Sequence, residues 1–167
     1  MKTIIVIIFT LIGSTSFSQT RFGVIKDNKI MIVVDTLKFK TYLYDNLYEG
    51  NTQKVNLEKI EVRKQNLLGL EQEFYFVSIH DFKKNITIVK WLSREGNDLI
   101  LSNNLNSEDL FESYFVVCTG KENCLPNVAV LDGRKVWICG ESLQCSIPDS
   151  DKKPTCAKST AMTENNF

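Results

Sequence analysis

Histidine is almost missing from this chain, and cysteine is missing from its first two-thirds. The one histidine is His80, and the five cysteines are Cys118, Cys124, Cys139, Cys145 and Cys156. Any Ser-His or Cys-His mechanism must therefore run through His80. Glycine and proline are sparse, at 8 and 3 residues. They form no phosphate-cradling loop, dinucleotide fingerprint or Gly-x-Ser-x-Gly elbow. Charge of one sign is also lacking: basic and acidic residues number 20 each. Such a surface has no field to gather nucleic acid or an anionic membrane, so neither is expected as a partner. No internal repeat or low-complexity segment interrupts the chain.

The cysteine spacing excludes two further classes. A zinc site wants thiolates two to four residues apart, whereas Cys118/Cys124 and Cys139/Cys145 are each separated by five. A redox pair wants Cys-x-x-Cys, which is absent. No metal or cofactor is expected, and a thiol or metal protein is kept as an alternative reading only.

The first 18 residues are of another kind. Lys2 is their only charge, Ile4 to Gly13 is almost wholly apolar, and Ser16-Phe17-Ser18 offers small residues where a signal peptidase reads them. This is a signal peptide cleaved after Ser18. Later apolar runs fall short of the ~20 residues of a transmembrane helix, so the mature chain has no transmembrane segment. The expected location is exported: secreted, periplasmic or at the cell surface. Such compartments permit disulfides. Loss of Lys2 takes the basic count to 19 against 20 acidic, a net charge of −1. Residues 19–156 then form a single β-rich domain, with 116–156 as its cysteine-rich region and a polar tail at 157–167 expected to be disordered.

Asp132-Gly133 divides two β-branched runs, Val128–Leu131 and Val136–Ile138. Asp-Gly supplies the positive-φ residues of a tight turn, so a hairpin is expected. Position numbers 124 and 139 have the same sum as 118 and 145. Folding about the turn predicts the nested bridges Cys124–Cys139 and Cys118–Cys145. Cys156 is then left unpaired, available for a dimer bond.

Short strands recur before this region. Phe22–Ile25 and Ile30–Val34 flank the turn-like Lys26-Asp27-Asn28-Lys29. Leu37 to Tyr44 alternates strictly and reads as a strand, with Leu37, Phe39 and Leu43 on one face and Lys38, Lys40, Tyr42 and Tyr44 on the other. Residues 52–68 fit a bulged strand or a helix capped by Asn56; the strand is preferred. Phe74–Ile79, Ile86–Leu92 and Asp98–Ser102 are firm strands, with turns at 81–85 and 94–97. Asn106-Ser107 caps a short helix that turns Leu110, Phe111 and Tyr114 inward. Phe115–Cys118 is the strand that enters the cysteine region. The whole is mainly β: an antiparallel meander or sandwich-like sheet with a disulfide-stapled C-terminal hairpin and one or two short helices.

The chemistry is thin. Ser78 and His80 share a strand face, but alternation turns Asp81 away, so no triad is expected. Glu71/Glu73 and Asp149/Asp151 are carboxylate pairs without an evident cleft. Asn85-Ile86-Thr87 is a glycosylation sequon. Trp91 and Trp137 read as core residues. Were Trp137 to face outward with Arg134 and Lys135, the hairpin would present a rigid aromatic and basic contact surface. The expectation is a non-catalytic binding or structural module for a protein or glycan. The alternative is a small hydrolase using carboxylates or His80.

Overall fold

A computed structural model describes residues 19–102, 110–120, 124–140, 156–163 and 167. The expected signal peptide, the cap expected at Asn106-Ser107, Cys145 and the Asp149/Asp151 pair lie outside the described residues. The fold is mostly antiparallel β with one short α-helix.

The chain begins with a hairpin. Strands β1 (Gln19–Lys26) and β2 (Lys29–Ile32) meet at Asp27-Asn28, both at positive φ (50° and 59°). That is the turn whose twist suits a two-residue hairpin. Helix α1 (Thr36–Leu47) follows, where the sequence predicted a strand. The Asp35 side chain accepts from the Leu37 and Lys38 amides at 2.9 and 3.1 Å and caps it. The alternation Leu37-Phe39-Leu43 also contains an i, i+4 pair. The helix buries Phe39 and Leu43 on one stripe and leaves Leu37 73% exposed. Tyr42 and Tyr44 point at neighbouring elements and serve as anchors. Tyr42 donates to the Thr163 hydroxyl at 2.6 Å, and Tyr44 accepts from the Leu57 amide at 3.1 Å.

Strands β3 (Lys59–Asn66), β4 (Glu73–Asp81), β5 (Ile86–Glu95) and β6 (Asp98–Ser102) form the meander. The stretch read as one bulged strand over 52–68 is a strand only from Lys59 to Asn66, and Val55 and Leu57 enter the core from an irregular segment ahead of β3. β5 is shared. Ile86 to Leu92 pair with β4, Ile86 to Val89 pair also with β7 (Phe115–Gly120), and the last three residues pair with β6, which continues to β1 and β2. A strand that passes from one sheet to another makes the corner of a sandwich. Between the two sheets and α1 lies the first core, with Phe22, Phe39, Leu43, Val77, Ile79, Ile88, Leu99 and Phe115.

The opposite face of β4, β5 and β7 is covered by a separate hairpin, β8 (Pro126–Leu131) and β9 (Arg134–Cys139). The 3-10 turn Leu110–Glu112 helps by inserting Phe111. Asp132-Gly133 makes the turn at φ 49° and 76°. Its register sets Cys139 opposite Pro126, two positions away from Cys124. The hairpin lies across the sheet rather than extending its ladder, so its cysteines meet other strands. The disulfides are Cys118–Cys139 and Cys124–Cys156, each with Cα atoms 5.5 Å apart. This replaces the nested pairing, and Cys156 is bonded within the chain rather than free for a dimer. It also corrects the tail. β10 (Cys156–Ala161) pairs with β7, from Cys156 opposite Gly120 to Ala161 opposite Phe115. Its exposed Lys158, Ser159 and Thr160 carry no apolar period. Backbone pairing and a covalent anchor hold it instead.

Two measurements check this account. Peptide mapping without reduction is expected to recover Cys118–Cys139 and Cys124–Cys156 cross-links and an alkylated Cys145. Asp35→Ala is expected to cost about 1 kcal/mol in denaturant unfolding, the usual loss of a helix N-cap.

Candidate functional site

The outer face of the β3–β4–β5 sheet has two halves. At one end Phe74, Phe76, Val89, Trp91 and Val116 form an apolar floor beneath the β8–β9 hairpin. Trp137 stands nearly perpendicular to Phe74 and Phe76, at 6.0 and 5.7 Å between centroids, and stacks on Phe111 at 5.4 Å. Side chains alternate along β9, so Lys135 and Trp137 share the inward face. The Lys135 ammonium lies 4.8 Å from the centre of the Trp91 ring, and Trp137 is 1% exposed. The sequence-predicted contact trio therefore splits. Arg134 remains exposed at the turn, beside exposed Val130 and Leu131. The lower part of β8, short of the tip, is tied to the end of β3 and the β3–β4 turn. The Leu68 amide donates to the Val128 carbonyl at 2.8 Å, and Gln65 to the Asn127 side chain at 3.0 Å. Leu68 and Leu70 are exposed there as well.

The other half is polar. Lys59, Glu61 and Arg63 on β3 face the side of β4 that carries Ser78 and His80, with Thr87 next on β5. His80 Nε2 lies 2.9 Å from Ser78 Oγ and 3.2 Å from Glu61 Oε1, and Nδ1 lies 3.2 Å from Thr87 Oγ1. Burial would raise the Glu61 carboxyl, but hydrogen bonds and charge from Lys59 and Arg63 outweigh it and hold the group at about 2. Glu61 is thus an acceptor only. Nε2 must carry the imidazole hydrogen toward it, and Nδ1 accepts from the Thr87 hydroxyl. Burial first, and Arg63 second, lower the His80 pKa and keep the ring neutral.

This tautomer leaves Nε2 without a lone pair for Ser78, whose side chain is 0% exposed. The structure brings Ser78 and His80 together and places Asp81 on the other face. There Asp81 accepts from the Asn56 amide at 2.8 Å and the Lys84 amide at 3.0 Å. Burial would raise the Asp81 carboxyl, but those amides and that of Lys83 hold it down. The arrangement is a closed polar network, suited to fixing β3 on β4 rather than delivering a proton to a substrate. Glu73 is engaged with Lys64 at 2.5 Å. Among the described residues no group of three His, Cys, Asp or Glu side chains is placed to hold a metal. Glu61 and Thr87 escaped the sequence reading because their nearness to His80 follows from strand register, which no local motif encodes.

Lys90 escaped it too. It lies on the inner face of β5, 0% exposed, donating to the Ser113 carbonyl at 2.7 Å, with its ammonium 4.7 Å from the centre of the Phe115 ring. Burial pushes its pKa down from 10.5 to about 7.

No protein family model, curated protein or solved structure matches this chain. Its function is read from these residues alone.

Lys90 yields a pH prediction. Between about pH 7 and 10.5 the unfolded chain binds a proton at Lys90 that the folded chain does not. Stability should therefore rise with pH through that window, by at most about 1.4 kcal/mol per unit. Below it both states are protonated and the cost is fully present. Lys90→Met is expected to flatten this slope in urea unfolding measured from pH 6.5 to 10.

Proposed function

We propose that this protein is an exported, non-catalytic binding module whose β8–β9 tip contacts a protein partner. The observation that carries the reading is the mounting of the tip. Two disulfides fasten the hairpin region to β7 and β10, and Trp137 pins it to the sheet. Val130, Leu131 and Arg134 stay at the surface. A rigid projection loses little entropy on association, and apolar side chains beside an arginine are the usual anchors of protein contacts. The disulfides agree with an oxidising compartment, as the N-terminal segment suggests. The hydrolase alternative fits less well, because Ser78, His80 and Thr87 are buried and committed to one another.

The test is binding of labelled, oxidised protein to the surface of the cells that make it. Saturable binding is expected. Leu131→Asp with Arg134→Glu should weaken it by at least about tenfold, the loss of one interface hot spot. Leu37→Asp, on the far side of the central sheet, should leave it unchanged. Binding kept by the tip variant would remove the tip from the reading, and no saturable binding at all would remove the module.

A further inference from the structure

Three strands end the sheet: β2, β3 and β10. β2 and β3 lie against each other. β10 lies beside β7 and touches β9, and among the described residues no strand pairs with its outer edge.

The ladder decides which backbone groups that edge presents. The Gly120 amide donates to the Asn85 carbonyl at 3.1 Å, so Gly120 turns its backbone groups toward β5. Their direction alternates along an antiparallel strand. Cys118 and Val116 therefore also face β5. Thr119, Val117 and Phe115 face β10, opposite Ala157, Ser159 and Ala161. Cys156, Lys158 and Thr160 send their N–H and C=O groups the other way, and among the described residues those groups have no backbone partner.

The edge lacks the usual protection. Natural edge strands carry proline, a bulge or charges that discourage a further strand. β10 has no proline, and its register with β7 is unbroken. Its one charge, Lys158, is turned aside, with the ammonium donating to the Trp137 carbonyl at 2.8 Å. Ala157, Lys158, Ser159 and Thr160 are exposed, so the hairpin leaves this length of strand uncovered.

The strand is also complementary to itself. Antiparallel pairing about a twofold axis at Lys158 would set two ammonium groups opposite each other, which is unfavourable. An axis at Ser159 avoids this. It sets Lys158 opposite Thr160, Ala157 opposite Ala161 and Ser159 opposite its own copy, with the outward groups of Lys158 and Thr160 in bonding register. We propose that β10 pairs with β10 of a second copy in this register, joining two protomers into one continuous sheet. Strand pairing alone buries little area, so the dimer is weak. The axis stands perpendicular to the sheet, which puts both hairpins on the same side and presents two tips at once. The dimer does not rest on what the tip binds.

Sedimentation of the oxidised protein from about 1 μM to 1 mM is expected to show a monomer–dimer equilibrium. Thr160→Glu sets a carboxylate opposite Lys158 of the second copy and should tighten it severalfold, whereas Thr160→Lys should weaken it by as much. Thr160→Pro should abolish it and leave the fold intact, because that N–H takes no part in the ladder with β7. Ser159→Cys should cross-link the dimer, since residues opposed in this way have Cα atoms about 4.5 Å apart, within disulfide reach. Amide exchange at Lys158 and Thr160 should slow as concentration rises. A monomer throughout overturns the proposal, and so does a dimer that ignores the charge at position 160 and is not cross-linked through Ser159→Cys. Exchange already slow in the monomer means that the chain covers its own edge. Slowing that appears only when a different protein is added gives the edge to that protein. Either result overturns the second copy as occupant. The Leu131→Asp/Arg134→Glu tip variant should dimerise like the parent.

Discussion

The contact that the rest of this structure depends on is the cover over Phe74, Phe76 and Trp91. These rings line the outer face of β4 and β5, and the inner face is already occupied by the first core. Left in water, they would expose some 150–250 Å² each, roughly 11–19 kcal/mol in all at about 25 cal/mol per Å². Trp137 and Phe111 meet that demand from above. The sheet becomes a middle layer, with a helix and sheet on one side and a hairpin on the other. The two disulfides, each contributing about 3 kcal/mol, fasten the smaller layer where its own area is least sufficient.

The same sheet explains the polar half of its outer face. The hairpin covers only one end of β4, so the residues beyond it must satisfy one another or stay wet. Ser78, His80, Thr87 and Glu61 do the former, while Lys59 and Arg63 do both, holding Glu61 and keeping much of their surface in solvent. Surface ion pairs of this sort add little stability singly. Here their effect is to keep Glu61 charged, and a charged Glu61 dictates where the His80 hydrogen sits.

Much of this was legible in the sequence, and the exceptions have physical causes. Asp27-Asn28 and Asp132-Gly133 announced their turns because positive φ favours so few residues. Phe74–Ile79 and Ile86–Leu92 announced strands through their aromatic and β-branched residues. Leu37–Tyr44 misled because Phe39 and Leu43 satisfy both a two-residue and a four-residue repeat, and the deciding Asp35 cap lies outside the pattern. The disulfide pairing was misjudged on the premise that the cysteines extend the hairpin ladder; in fact the hairpin crosses the sheet. β10 was illegible because an edge strand can be held by backbone bonds and one covalent anchor, neither of which asks for apolar side chains. Trp137 lies in the core as its sequence reads, and Lys135 goes inward with it, so two of the three residues of the conditional contact surface turn toward the sheet. Strand alternation made them partners but did not say which side met the sheet.

The two bridges interleave. Cys124 falls inside the loop closed by Cys118–Cys139, and Cys139 inside the loop closed by Cys124–Cys156. Every peptide bond from Cys118 to Cys156 is therefore spanned by at least one bridge, and those between Cys124 and Cys139 by both. A protease that cuts once anywhere in this stretch, the hairpin tip included, releases no fragment. The nested arrangement would have left the stretch after Cys145 free to be trimmed away. A chain built this way can be cut once between Cys118 and Cys156 and still hold together as one covalent piece.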